Sequence, residues 1–182
     1  MAVAVVMTVL VLAPPTITAQ ALPSAKLPVL ITSAGQSPGG NMMRLLFRQN
    51  QIESDFVQLA EVRHLREKKY NTLVVAWGTS LKGMGAAGID FDEEMKRIKS
   101  LIAEAKRQDI LLLGFHIEGE ARRGGYDEDL ISEIPQMLDY LIVRKDGNTD
   151  GIFTEISSKH GIPLKLVDKT LDVKGILVEI FR

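Results

Sequence analysis

His116 and Glu118 stand two residues apart at the end of an unbroken apolar run, Ile110–Phe115, and are followed by Glu120, Arg122, Arg123, Gly124 and Gly125. On an extended segment, residues i and i+2 point to the same side. The pair could therefore act as acid and base or, with Asp146 from a later loop, hold a metal. No second histidine stands at ligand spacing: His64 falls in a charged segment and His160 near a helix end, where a cation suits the dipole. The plainer alternative is a histidine satisfied at a strand end and a carboxylate paired with Arg122 or Arg123. The sequence assigns no catalytic residue, cofactor or metal.

A second set of residues points to anion binding. Gly39, Gly40 and Asn41 open a helix, where free N–H groups and the dipole attract negative charge. Gln36 and Ser37 precede them. Lys82 is flanked by Thr79, Ser80 and Gly83, and Arg122-Arg123 precedes Gly124-Gly125. In a desolvated site each charge-assisted hydrogen bond contributes about 1.5–3 kcal/mol. Against this stand solvated arginines and glycines that only supply positive φ. The candidate ligand-binding residues are Gln36, Ser37, Gly39, Gly40, Asn41, Thr79, Ser80, Lys82, His116, Glu118, Arg122 and Arg123.

The elements that must position these residues are legible as alternating apolar runs and helical periods. Leu27–Thr32, Asp55–Leu59, Thr72–Trp77, Ile110–Phe115, Leu138–Val143 and Pro163–Val167 read as strands. Runs apolar throughout fit strands covered on both faces of a parallel sheet. Helices are expected after Asn41, with Met42, Leu45, Leu46 and Gln49 in step, over Glu61–Lys69, from Asp90 or Asp92 to Ala105, over Asp127–Met137 and over Asp150–His160, where Gly161 supplies a left-handed end. Thr170–Arg182 fits a closing helix or a final strand, and Gly78–Ile89, with four glycines, reads as a long loop.

Strand–helix alternation predicts βαβ units: a three-layer α/β/α sandwich with a mainly parallel sheet, flavodoxin-like or Rossmann-like, in order 2-1-3-4-5 plus an edge strand. Connections leaving the strands' carboxyl ends (33–41, 78–89, 116–126, 144–149) are long and polar, whereas those entering strands are short. Open α/β sheets bind ligands at that edge, in the crevice where strand order reverses.

Composition sets the outer limits. A net charge of −1 and pI of about 6.3 give no electrostatic footprint for nucleic acid, and there is no polybasic segment for an anionic membrane. Cysteine is absent, which removes disulfides, thiolate metal sites and a lipid-modified leader. Ala2–Ala13 is polar only at Thr8, Pro14-Pro15 ends it, and Ala19-Gln20-Ala21 gives a small-residue cut site before Leu22. Residues 1–21 thus read as a secretory signal peptide, although no Lys or Arg precedes Lys26. The apolar run is short of the roughly 20 residues a span needs, so no integral membrane segment is expected after cleavage. Residues 22–182 are expected to form one α/β domain, exported to the periplasm or beyond.

Named nucleotide and hydrolase motifs are missing. There is no G-x-x-x-x-G-K-[ST], no G-x-G-x-x-G and no G-x-S-x-G. A phosphoacceptor receiver would want an acid where Thr32 and Ser33 stand, and Ser33–Ser37 is a thin match to a flavin phosphate loop.

The leader, LPVLITSAGQSPGG, NTLVVAWGTSLKGMGAAG and GFHIEGEARRGG together resemble an uncharacterised family of exported bacterial α/β domains. The resemblance covers the mature chain and implies export and a Rossmann-like sandwich. That family has no established activity, so no catalytic residue is carried over. The sequence favours an exported binder of a small anion at the strands' carboxyl ends. The alternatives are a hydrolase or metal-dependent lyase using His116 and Glu118, and an accessory protein of a transporter or envelope complex that binds a protein partner.

Overall fold

A computed structural model describes residues 22–182; the leader and its cut-site motif lie outside the described residues. Strand β1 (Val29–Ala34) leads to helix α1 (Gly39–Gln49), then to β2 (Asp55–Phe56) and α2 (Val62–Glu67). Next come β3 (Thr72–Trp77), the short α3 (Leu81–Ala87), α4 (Phe91–Arg107) and β4 (Leu111–His116). After a 3-10 turn over Gly119–Arg122 follow α5 (Tyr126–Glu133), β5 (Tyr140–Arg144), α6 (Ile152–His160), β6 (Leu164–Val167) and α7 (Val173–Ile180).

The six strands form one parallel sheet in the order β2-β1-β3-β4-β5-β6. This is the flavodoxin-like order with an added edge strand that the apolar runs imply. Alternate residues of each strand enter opposite cores, as the two-residue period of a strand requires. Leu30, Leu73, Val75, Leu112 and Leu141 face α2, α4, α5 and α6. Ile31, Val74, Leu113 and Ile142 face α1 and α7.

Helix α4 shows how a local signal sets an element. Asp90 Oδ1 accepts from Glu93 N–H at 2.8 Å, while Glu93 Oε2 accepts from Asp90 N–H at 3.0 Å. This reciprocal cap satisfies two donors that the first turn leaves open. Met95, Ile98, Leu101, Ile102 and Ala105 then form the stripe that covers the sheet.

Three local expectations change, and one open alternative is decided. Helix α1 starts at Gly39, two residues before the proposed Asn41 cap, and buries Met43, Leu46 and Phe47 while Leu45 faces solvent. Its inward face is one residue off the expected stripe, because Met43, Leu46 and Phe47 are the side chains that enter the core shared with α7. Strand β2 is only two residues long. Gly78–Ile89 is not a plain loop: Ser80 Oγ accepts from Gly83 N–H at 3.0 Å and starts α3, despite the glycines. The C-terminal segment settles as a helix, with Val173, Ile176, Leu177 and Ile180 buried. Among the described residues no helix is long and apolar enough to cross a membrane.

Candidate functional site

The carboxyl edge is built first by backbone. Ser37 N–H donates to Gly78 O at 3.1 Å, and Ser80 N–H donates to Gly35 O at 2.7 Å. Gln36 and Thr79 form an isolated antiparallel bridge. The loops leaving β1 and β3 are therefore zipped together across the very crevice where strand order reverses. Gly35 has φ +85°, and a Cβ there would lie 2.5 Å from Gly78 O, so the position requires glycine. Gln36 follows with φ +59°, a left-handed backbone uncommon for a residue with a side chain.

A buried ion pair holds this turn from below. Glu94, from the first turns of α4, is wholly buried; its Oε1 accepts from Gly35 N–H at 2.7 Å and from Gln36 Nε2 at 2.9 Å. Arg97 completes it, donating to both Glu94 oxygens at 2.7 and 2.8 Å and to the carbonyls of Ser33 at 2.6 Å and Ala60 at 2.5 Å. Neither residue is a candidate from sequence. Their i, i+3 spacing after the Asp90 cap was the available signal, but they read as the polar side of an amphipathic helix.

The proposed anion cradle is assembled but occupied by the chain itself. Glu118 Oε1 accepts from Gly39 N–H at 3.0 Å, so a protein carboxylate sits at the α1 N-terminus. Arg122 Nε donates to Glu118 Oε2 at 3.0 Å and its Nη1 to Thr79 O at 2.9 Å. Arg123 turns the other way, to Gly147 O at 2.5 Å, Asp150 at 2.6 Å and Glu128 at 2.9 Å. The Arg123 guanidinium holds the Asp150 and Glu128 carboxyls below the usual carboxylate range. Thr79 N–H is taken by Asp127 Oδ1, and Ser80 Oγ by the α3 cap.

Gln36, Ser37, Gly39, Thr79, Ser80, Glu118 and Arg122 are thus brought together, bonded to one another or to neighbouring protein groups. Gly40 is buried and Asn41 is exposed on α1. Lys82 is exposed on α3 and makes no ion pair among the described residues.

His116 and Glu118 do not form an accessible pair. The strand ends at His116 and Glu118 has helical backbone angles, so the extended geometry that would align them is absent. The His116 ring is fully buried between Trp77, at 5.9 Å between centroids, and Phe153, at 5.1 Å. Neither ring nitrogen makes a hydrogen bond of acceptable geometry. Burial lowers its pKa; the nearby Trp77 backbone, then the Asp127 charge, offset this in part. No group of His, Asp and Glu suited to a metal ion occurs among the described residues.

This burial sets a pH dependence. In the unfolded chain histidine takes a proton near its ordinary value of about 6.5. Because the folded-state value is lower, the stability tied to neutral His116 is complete above about 6.5 and is lost as pH falls toward the folded value. Thermal unfolding at about pH 7.5 and about pH 5.5 should show a drop in wild type that is smaller in His116→Phe. An equal drop in both would assign the acid sensitivity to other groups.

The parallel order, short edge strands and loop-built carboxyl rim define the chain as a doubly wound α/β protein. It belongs to the family described as "Domain of unknown function (DUF6305)", matched over residues 26–181. No curated protein matches it. Among solved structures it is similar to AlinE4, an SGNH-hydrolase family esterase, at 13% identity and TM-score 0.34, covering 84% of this chain and 80% of that one. It is also similar to the psychrotrophic esterase EstA from Pseudoalteromonas sp., at 12% identity and TM-score 0.32, over 76% of each chain. No residue role is carried over from either likeness.

Proposed function

We propose that this chain is an exported small-molecule-binding domain whose ligand meets the carboxyl edge of the sheet. The supporting observation is a cleft of about 440 Å³ bounded by Gln36, Gln58, Leu59, Gly83, Ala86 and Ala87. These residues come from the loops after β1 and β2 and from α3, which follows β3, so three carboxyl-end connections meet there. Export rests on the apolar leader and the Ala19–Ala21 motif.

The zipped β1–β3 loops move the open space from the expected crevice toward the β2 side. The same geometry changes the expected ligand: an anion at the α1 N-terminus would first have to displace Glu118 from Gly39 and Arg122. The hydrolase reading built on His116 and Glu118 is not carried forward, because the imidazole is fully buried and the backbone turns before Glu118.

A thermal-shift screen of the full chain against neutral, cationic and anionic small molecules, with and without divalent metals, tests this reading. A ligand present at about 100 times its Kd should add about 2.7 kcal/mol of stability. Failure of every class to stabilise the protein would remove the binding function. Intact-mass analysis of protein from its native host should give a chain starting at Leu22; a cytoplasmic product retaining Met1 would remove export.

A further inference from the structure

His116 is the last residue of β4, and two short 3-10 turns follow at the same edge, Gly119–Arg122 after β4 and Lys145–Asn148 after β5. The imidazole is wholly buried between the rings of Trp77 and Phe153. Glycine covers its edge. A Cβ on Gly147 would lie 2.7 Å from His116 Cδ2, 2.9 Å from His116 Nε2 and 3.1 Å from Gly119 Cα. Gly119 and Gly147 are both buried. The two turns thus meet, backbone against backbone, over the imidazole.

A neutral imidazole fits this seat and an imidazolium does not. The protonated ring carries two N–H donors, and neither nitrogen has a hydrogen-bond partner there. Trp77 Nε1 is unpaired too, but it is a donor and cannot serve. From β3 and α6 come only the rings of Trp77 and Phe153, and β5 sets Val143 opposite His116. The charges acting on the ring are Asp127, at the start of α5, and Arg123, and they act in opposite directions. The turns bring Glu118 and Arg122, and Arg144 and Asp146, each already bonded as a pair. Lys145 is held by Asp168, and Glu120 faces solvent. A buried charge without a partner is costly, so the ring takes a proton only where water can reach it.

We propose that His116 is an acid-sensitive latch: its protonation parts the turns Gly119–Arg122 and Lys145–Asn148 and opens the β4–β5 side of the carboxyl edge while the sheet stays folded. The strand itself is held on both sides, since residues 111–115 pair with β3 and residues 113–116 with β5. His116 pairs with β5 alone, so the ring leaves its seat toward the turns rather than through the sheet. The opening is separate from the cleft beside β2 and needs no ligand there.

Trp77 is the chain's single tryptophan, is 1% exposed and stacks on His116, so its emission reports on the seat. Burial holds the imidazole below its ordinary value of about 6.5, which puts the transition below that pH. Emission of the full chain, titrated from about pH 7.5 to about pH 4.5, should move to the red in one step while far-UV circular dichroism stays constant. Hydrogen-exchange protection, corrected for the intrinsic effect of pH, should fall across both turns and persist at Leu113 and Ile142 in the sheet. His116→Phe keeps a ring in the sandwich without a titrating group and should remove both changes. His64→Gln on α2 and His160→Gln on α6 should leave them in place. If His116→Phe does not fold, the exchange pattern of the wild type decides. Emission and circular dichroism moving together, a step that persists in folded His116→Phe, turns that keep their protection, or no step at all would each overturn the latch.

Discussion

Glu94→Ala is expected to destabilise the protein by about 3–5 kcal/mol, because removing one partner of a buried ion pair leaves the other charge uncompensated. The Glu94 side chain is wholly buried and that of Arg97 is 9% exposed, so solvent screening gives little relief. The same substitution strands Gly35 N–H and the Gln36 amide, which both donate to Glu94 Oε1. Denaturant titration reads the loss directly. Glu94→Gln keeps the shape and should lie between wild type and alanine. A loss under about 1 kcal/mol for Glu94→Ala would show that Arg97 swings to water and that the turn holds by its backbone bridge alone.

Leu112→Ala is expected to cost about 2–5 kcal/mol, the range for large-to-small changes in a packed core. Leu112 is fully buried on β4, flanked by β3 and β5, and belongs to the cluster under α4 and α5. The spread reflects how far the surrounding side chains close over the cavity. A loss under about half a kcal/mol would place this residue outside any packed core.

The two variants probe features that differ in how plainly they were written in the sequence. Leu112 belongs to an unbroken apolar run, and such runs can be read without neighbours: Thr72–Trp77 is the strand expected, residue for residue. Val29, Leu30, Val74, Val75, Leu112 and Ile142 are fully buried as their runs imply, while Leu111, at the entry to β4, is half-buried. Glu94 could not be read this way. Its partners are Gly35 and Gln36, nearly sixty residues earlier in the chain, and no local period encodes that meeting.

Glu118 shows the same limit. The pairing with Arg122 was among the sequence alternatives, and in the structure the two meet as i, i+4 neighbours on one turn. Its seat on Gly39 N–H was not, since it depends on the fold bringing β4's loop over α1. Helix α3 was hidden for a different reason. Four glycines in twelve residues argue for a loop, yet one serine cap and a close approach at Gly83 are enough to order it.

The internal pairing of the rim has a kinetic side. Glu118 with Arg122, Arg123 with Asp150 and Glu128, and Arg144 with Asp146 place these charges beside opposite ones, while Lys82 stands exposed without such a partner among the described residues. Fields from such close pairs cancel within a few ångströms, and salt erases what is left beyond about 10 Å. An approaching molecule is therefore neither drawn in nor turned away from a distance. For a ligand of the kind proposed above, capture at this edge is expected to proceed by unguided diffusion, with an on-rate almost flat in ionic strength, unlike sites lined by one sign of charge.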